Sequence, residues 1–450
     1  MTPSSGPAPK AGGSLVLAVV YVTALFFIWA LVTNLLDPLL KTMKTVFTLS
    51  PVEANLTGFA FFIAYGVMSM PSAAFLSKFG YAKSVIVGLS GIVAGCFVAI
   101  AAAKLHVFGI FLVGLFVMAS GVTLLQVAAN PLIASMGKPE GASFRLNLSQ
   151  AFNSLGAACG LWFGANFLLK GDIFKHGIEI TPALREQALG FVSNVYLAIG
   201  VGLTLFIVAI FLVRHKITEA APKTGHLVSP FSALASKWAN LGAIGIFLYV
   251  GAEVAISLNL LLFIEQSHVL NIPAEQAGKL TTFYMVFAMI GRFAGSALLK
   301  SVKDYVLLML VALGAIALCV VVIVTKDMTP TAHAGTLNLI LAQAPMTSGL
   351  IPAFAALLIG LFNSIMFPTI FTLTLQRSSA PTSATSGLLC MAIVGGAFLP
   401  LIFAKIEEMT GSAPRFTRSR KRWSAPTRAR PPRQRKSPGA PRPGFFISPI

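Results

Sequence analysis

From its N-terminus the chain alternates long apolar runs with short polar connections. The runs cover roughly 15–40, 54–76, 84–103, 107–136, 146–169, 190–213, 241–264, 277–299, 305–325, 350–375 and 385–404. Each is long enough, at about 20 residues or more, for a helix to cross the hydrocarbon core of a bilayer. The strands of a membrane barrel would instead show as alternating segments of about ten residues. A lipid-exposed backbone has to close its hydrogen bonds within each segment, so the pattern predicts eleven membrane helices. The first run follows one lysine, Lys10, and is not trailed by a small-residue cleavage site. It reads as a retained helix.

Composition agrees with this pattern. Of 450 residues, 56% are apolar and 10% are charged, against about 25% charged in soluble domains. The mean hydropathy is +0.83. Soluble, fibrous and wholly disordered classes are excluded. The net charge of +19 is misleading, because residues 411–450 hold 11 of the 33 basic residues and no acid. The remainder has 22 basic against 14 acidic residues, which removes a nucleic-acid partner from consideration. With the N-terminus placed in the cytoplasm, inner connections up to residue 410 hold 13 Lys and Arg and outer ones hold 9. That is the sign the positive-inside rule expects. The four cysteines lie in separate apolar runs without metal-ligand spacing and read as small core residues.

The main polar inner connection, 214–240, divides the chain into an N-terminal six-helix bundle (1–213) and a C-terminal bundle of five helices (241–410). The halves echo each other. The second and eighth helices end in the basic stretches SKFGYAKS and LLKSVKDY, and the fourth and tenth carry Pro131 and Pro368 deep in apolar sequence. Repeated halves enclosing a site are the plan of secondary transporters.

Polar residues inside the runs are the candidate chemistry. Thr33, Asn34 and Asp37 share one face of the first helix. Pro38 frees the Asn34 carbonyl. Asp37 is either a protonatable cavity wall or an acid at the outer mouth. Glu253 lies near the middle of the 241–264 run, with Tyr249 and Ser257 one turn to either side. An acid there costs roughly 2.5–3.5 kcal/mol on insertion scales and is expected to be functional. It is a proton carrier or a structural hydrogen bond across the bundle. Thr123, Gln126 and Asn130 line one face of the fourth helix, and the fifth carries Asn147, Gln150, Asn153 and Ser154. Amides offer donors and acceptors together, which suits sugar hydroxyls. The same amides can also act as interhelical glue. Asn363 on the tenth helix is a further candidate. Gly156, Gly160 and Gly164, and Gly291 with Gly295, predict close helix packing. Arg145 and Arg292 read as topology determinants or latches at inner helix ends, outside the site.

Several stretches resemble one family. They are Gln126-Val-Ala-Ala-Asn-Pro131, Arg145-Leu-Asn-Leu-Ser-Gln-Ala-Phe-Asn-Ser-Leu-Gly156, FFIWALVTNLLDPLL (26–40), YVGAE (249–253), GRFAG (291–295) and FNSIMFPTIF (362–371). Together they look like the fucose permease and glucose/galactose transporter family of the major facilitator superfamily, over about residues 15–410. The resemblance implies twelve helices in two six-helix bundles, alternating access to a central site, and proton-coupled uptake of hexoses. Asp37 matches the family's first-helix acid, associated with proton coupling. The second acid of fucose permease, on helix four, is Gln126 here, as in glucose/galactose-type members. Its helix-seven amide is Glu253 here.

The expected function is therefore uptake of a hexose-type sugar (glucose, galactose, fucose or N-acetylglucosamine) by symport with a proton, with sodium as the other candidate ion. The proton would be carried by Asp37 and Glu253, and the sugar by Asn34, Gln126, Asn130, Gln150, Asn153 and Asn363. An exporter or antiporter of the same fold, or a non-transporting sugar sensor, are the alternatives. An enzyme is disfavoured, since the chain holds no HExxH, no GxSG and no paired intramembrane aspartates. No cofactor or metal is expected. The expected setting is a monomer in a bacterial inner membrane. Residues 411–450, with nine Arg, two Lys and eight Pro, cannot span a bilayer and read as a disordered tail. They stand where the family would place helix twelve, and their composition is what GC-rich coding DNA yields out of frame.

Overall fold

The computed structural model describes residues 13–46, 51–163, 181–224, 227–325, 332–339 and 343–410. The helices are α1 (Gly13–Val46), α2 (Pro51–Phe79), α3 (Tyr81–Leu105), α4 (Phe108–Ser135), α5 (Ala142–Phe163), α6 (Pro182–Ala220), α7 (Lys237–Glu265), α8 (Ala274–Leu298) and α9 (Asp304–Thr325). Strands β1 (Ala332–Asn338) and β2 (Gln343–Thr347) follow as an antiparallel hairpin. The chain then forms α10 (Leu350–Asn363), α11 (Met366–Arg377), α12 (Thr382–Met391) and α13 (Gly395–Thr410). Helices α10 and α11 make one crossing, and so do α12 and α13. Within the described residues, each of the eleven apolar runs thus lies on a helix or a broken helix. The packing described below belongs to one compact unit that ends at Lys405.

Nine described helices are long and apolar enough to cross a membrane on length and composition alone. The other two, α5 and α8, carry the polar residues that matter later, Asn147, Gln150 and Asn153 on one and Arg292 on the other. Outward faces are apolar: Leu205, Leu212, Leu258 and Val324 are all more than 60% exposed. Such a surface is stable where the solvent is hydrocarbon.

The first six helices pack chiefly on one another, through α1–α5, α3–α4, α3–α6 and α2–α4. From α7 onward the second half is built through α9–α10, α8–α10 and α7–α11. The halves meet along α2–α12 and α5–α8, with α11 against α5 and α12 against α4. Call the side carrying the start of α1 the near side, and the other the far side. Hydrogen bonds between the halves gather on the near side. Ser143 Oγ lies 2.7 Å from Thr372 Oγ1, and Asn147 Nδ2 donates to Thr369 Oγ1 at 3.2 Å. Ser386 Oγ donates to the Val127 carbonyl at 2.7 Å.

The prolines explain part of this arrangement. Pro131 has no N–H to offer Val127, four residues back, so α4 continues through it with a free carbonyl. That carbonyl is the one Ser386 bonds. Pro368 likewise frees the Ser364 carbonyl, at the break between α10 and α11, and Arg292 Nε donates to it at 3.2 Å. The internal symmetry of Pro131 and Pro368 is thus a symmetry of exposed acceptors.

The glycine spacing on α5 has the predicted cause. A Cβ on Gly156 would overlap the Phe27 carbonyl of α1, and one on Gly160 would overlap the Leu31 carbonyl. Gly164 lies outside the described residues. Among the cysteines, Cys96 and Cys390 are buried, but Cys319 is exposed on the lipid-facing α9, so the core reading fails for it. The residues 411–450, and with them the basic tail and the question of a twelfth helix, lie outside the described residues.

Candidate functional site

A cavity of about 400 Å³ lies between α1, α2, α4 and α5, from mid-membrane toward the far side. Its polar walls are Thr33, Asn34, Thr57, Tyr65, Gln126 and Asn153, and its aromatic walls are Trp29, Phe61 and Phe62. None of the lining residues carries a charge at neutral pH. Three of the amides read from the sequence, Asn34, Gln126 and Asn153, therefore share one space. Gln126 Nε2 donates to Tyr65 Oη at 2.6 Å, which fixes the amide against α2. Asn34 Nδ2 donates to the Ala30 carbonyl at 2.8 Å, and Asn153 Nδ2 to the Phe26 carbonyl at 3.1 Å. These bonds use the amide nitrogens, and a hydroxyl can donate to an amide oxygen.

The other candidates sit elsewhere. Asn130 is fully buried, one turn beyond Gln126, and neither of its amide atoms has a hydrogen-bond partner among the described residues. Gln150 is buried and does not line the cavity. Asn363 belongs to a second cluster in the other half. There Tyr249 Oη donates to the Asn363 carbonyl at 2.9 Å, and Asn363 Nδ2 donates to Tyr284 Oη at 3.3 Å. Glu253 lies one turn from Tyr249 on α7, and its main-chain carbonyl accepts from Ser257 Oγ at 2.9 Å. Helix α1 runs through Asp37 and Pro38 to Val46, but the Asp37 side chain lies outside the described residues.

The two arginines differ in role. Arg145 caps the end of α4, donating from Nε to the Ile133 carbonyl at 3.1 Å and from Nη1 to Lys138 at 3.0 Å. It acts within its own half. Arg292 reaches across, from Nη1 to the Gln150 carbonyl at 3.3 Å and to Ser154 Oγ. Arg292 thus bonds the two halves to each other, at the residue that follows Asn153 of the cavity wall in the chain. The sequence signal was an arginine well inside the 277–299 run, held between Gly291 and Gly295, with both glycines pressed on the α10–α11 break through Ser364 and Ile365.

Two sets of helices bonded together on one side, the first of them holding an uncharged hydrogen-bonding cavity at mid-membrane, have the layout of a membrane carrier. Residues 22–400 match the family model of the Major Facilitator Superfamily, and the chain belongs to that superfamily. It is 37% identical over 395 residues to the glucose/galactose transporter of Brucella abortus biovar 1, covering 88% of each chain. It is 29% identical over 416 residues to the L-fucose-proton symporter of Escherichia coli K12, covering 89% of each. The crystal structure of the superfamily transporter FucP in the outward conformation superposes with a TM-score of 0.73 at 27% identity, covering 88% of this chain and 94% of that one. The chain is a transporter of the membrane and not an enzyme.

Proposed function

We propose that the chain takes up a hexose-type sugar together with a proton by alternating access, across a bacterial inner membrane. The observation that carries this is the uncharged cavity of about 400 Å³ in which Asn34, Gln126 and Asn153 face aromatic walls. A pyranose is a ring of hydroxyls around two weakly polar faces. Amides meet the hydroxyls, and Trp29, Phe61 and Phe62 meet the faces. The names of the relatives support the sugar class, glucose, galactose or fucose, with N-acetylglucosamine as a further member, and the symporter among them supports the proton. Asp37 and Glu253 are the proton carriers of this reading. Gln150, Asn130 and Asn363 are contacts made as the halves move. Asn130, unpartnered while the near side is closed, gains water or a sugar hydroxyl when it opens. The near side is the cytoplasmic one, in keeping with its larger share of basic residues. The working unit is a monomer of two bundles, 1–213 and 241–410, joined by 214–240.

The test is uptake of labelled glucose, galactose, fucose and N-acetylglucosamine into proteoliposomes with and without an inward proton gradient. Gradient-dependent accumulation of at least one is expected. Uptake driven by sodium at constant pH, or none at all, would oppose the reading. Within it, Gln126→Ala and Asn153→Ala should each weaken sugar binding by roughly 5- to 100-fold, since a desolvated hydrogen bond left unmade costs about 1–3 kcal/mol. Binding calorimetry on variants that elute as wild type checks this. Unchanged affinity in both would assign the two amides to helix packing alone.

A further inference from the structure

We infer that Arg292 is the positioning residue that ties the state of Glu253 to closure of the near side. The inference deepens the proton-symport reading and rests on it. Arg292 occupies the one point where three elements need a donor. Its Nε donates to the Ser364 carbonyl that Pro368 leaves free, which anchors the guanidinium at the α10–α11 break. From that anchor Nη1 reaches the other half, to the Gln150 carbonyl and the Ser154 hydroxyl on α5. Ser154 follows Asn153 of the cavity wall in the chain, so the contact lies at about the depth of the proposed sugar site.

The guanidinium also has a competing partner. Glu253 on α7 stands one turn from Tyr249, whose Oη bonds the Asn363 carbonyl, next in the chain to the Ser364 carbonyl that Arg292 holds. Tyr284 on α8 is bonded by the same Asn363. Among the described residues, Tyr249, Tyr284 and Arg292 are the titratable groups around Glu253. The facing part of α5 presents Gln150 and Ser154, and α10 presents Asn363, none of which titrates. A guanidinium has five N–H donors in one plane, and their directions are fixed. Its Nε holds Ser364 and its Nη1 holds α5, so a forked pair with a carboxylate, which takes Nη2 together with Nε or Nη1, has to break one of these contacts. With Glu253 protonated the pull toward α7 is absent, and Arg292 stays on α5. With Glu253 ionised the guanidinium is drawn to it, and α5 loses its charge-assisted bonds. Conversely, opening of the near side frees Arg292 for Glu253. The pair that then forms needs the ionised carboxylate, so the proton leaves on the near side. The balance is simple: one proton passes from the Glu253 carboxyl to near-side water, and no other bond changes.

The experiment reads the near-side gap without sugar and without a gradient. Spin labels at Lys138 and Gln376, on a background free of the four native cysteines, report the distance between the α4–α5 connection and α11. In the closed structure this gap is bridged by Gln376 Nε2 to the Pro139 carbonyl at 3.4 Å. The unsubstituted protein should show a longer-distance population that grows as pH rises. Arg292→Gln should raise that population about tenfold or more and abolish its pH response, because charge-assisted bonds between the halves are lost. Ser154→Ala, which removes one acceptor and is milder on folding, should shift it in the same direction by about fivefold. Glu253→Gln, still without sugar, should make the gap independent of pH and biased to the closed form, which bound sugar can open. A gap that stays closed in Arg292→Gln and Ser154→Ala, or a pH response that survives in Arg292→Gln, overturns the inference. The uptake assay fails or succeeds separately, so loss of proton symport and loss of this latch are told apart.

Discussion

Glu253→Gln and Asp37→Asn should each abolish accumulation of sugar against its gradient, while leaving exchange of labelled for unlabelled sugar across the membrane. The amide is close in shape to the protonated acid, so the carrier stays in the one form able to move loaded in both directions. It loses only the ability to release a proton. For Glu253 the setting is explicit: a carboxyl near the middle of α7, one turn from Tyr249, in a helix that is otherwise mostly apolar. An acid kept at such a depth carries a cost of roughly 2.5–3.5 kcal/mol, which selection tolerates where the charge is used. Counterflow and gradient-driven uptake, measured on the same proteoliposome preparation, check the prediction. Wild-type accumulation in both variants would move the proton elsewhere in the protein.

The second large effect is on folding. Gly156→Val should give little or no folded protein, because its side chain would have to occupy the position of the Phe27 carbonyl. That obstacle is backbone, which cannot step aside as a flexible side chain does. Overpacking costs about 1–3 kcal/mol where side chains can yield, and more where they cannot. The α1–α5 contact also holds Asn34 and Asn153 across the same cavity, so partial folding would still remove sugar binding. Gly190→Val on α6, where a Cβ meets nothing within 4 Å, is the matched control and should elute as wild type. Size-exclusion profiles of fluorescent fusions compare the two. A normal profile for Gly156→Val would mean that α1 and α5 do not pack as described.

The lipid-crossing helices were legible because solvent quality alone dictates them. Runs near 20 apolar residues leave the backbone no alternative. The breaks were not legible to the same degree. Pro368 marks the freed Ser364 carbonyl in the 350–375 run, but not the donor that meets it, Arg292, 72 residues away in sequence. The hairpin of β1 and β2 escaped for another reason. Its strands are short and carry no regular alternation of apolar and polar residues, and cross-strand pairing such as Ala332 with Thr347 is set in three dimensions. In the site, facing positions on α1, α4 and α5 could be read from helical periodicity, and Asn34, Gln126 and Asn153 do meet. Gln150 shares the helix with Asn153 but turns away from the cavity lining, since three residues on a 3.6-residue turn leave a residual angle of about 60°. Arg292 was set aside because basic residues near helix ends usually fix topology. Its reach across to α5 depends on how the halves dock, which periodicity within one helix cannot convey.

The central claim is that sugar and proton cross together. The most direct measurement is the pH of a lightly buffered medium around de-energised cells expressing the protein, recorded as sugar is added. The account predicts an alkaline shift on addition of a transported hexose, absent with Glu253→Gln and abolished by a protonophore. Entry of labelled sugar with no change in external pH, in cells where the protein is present at normal levels, would contradict it.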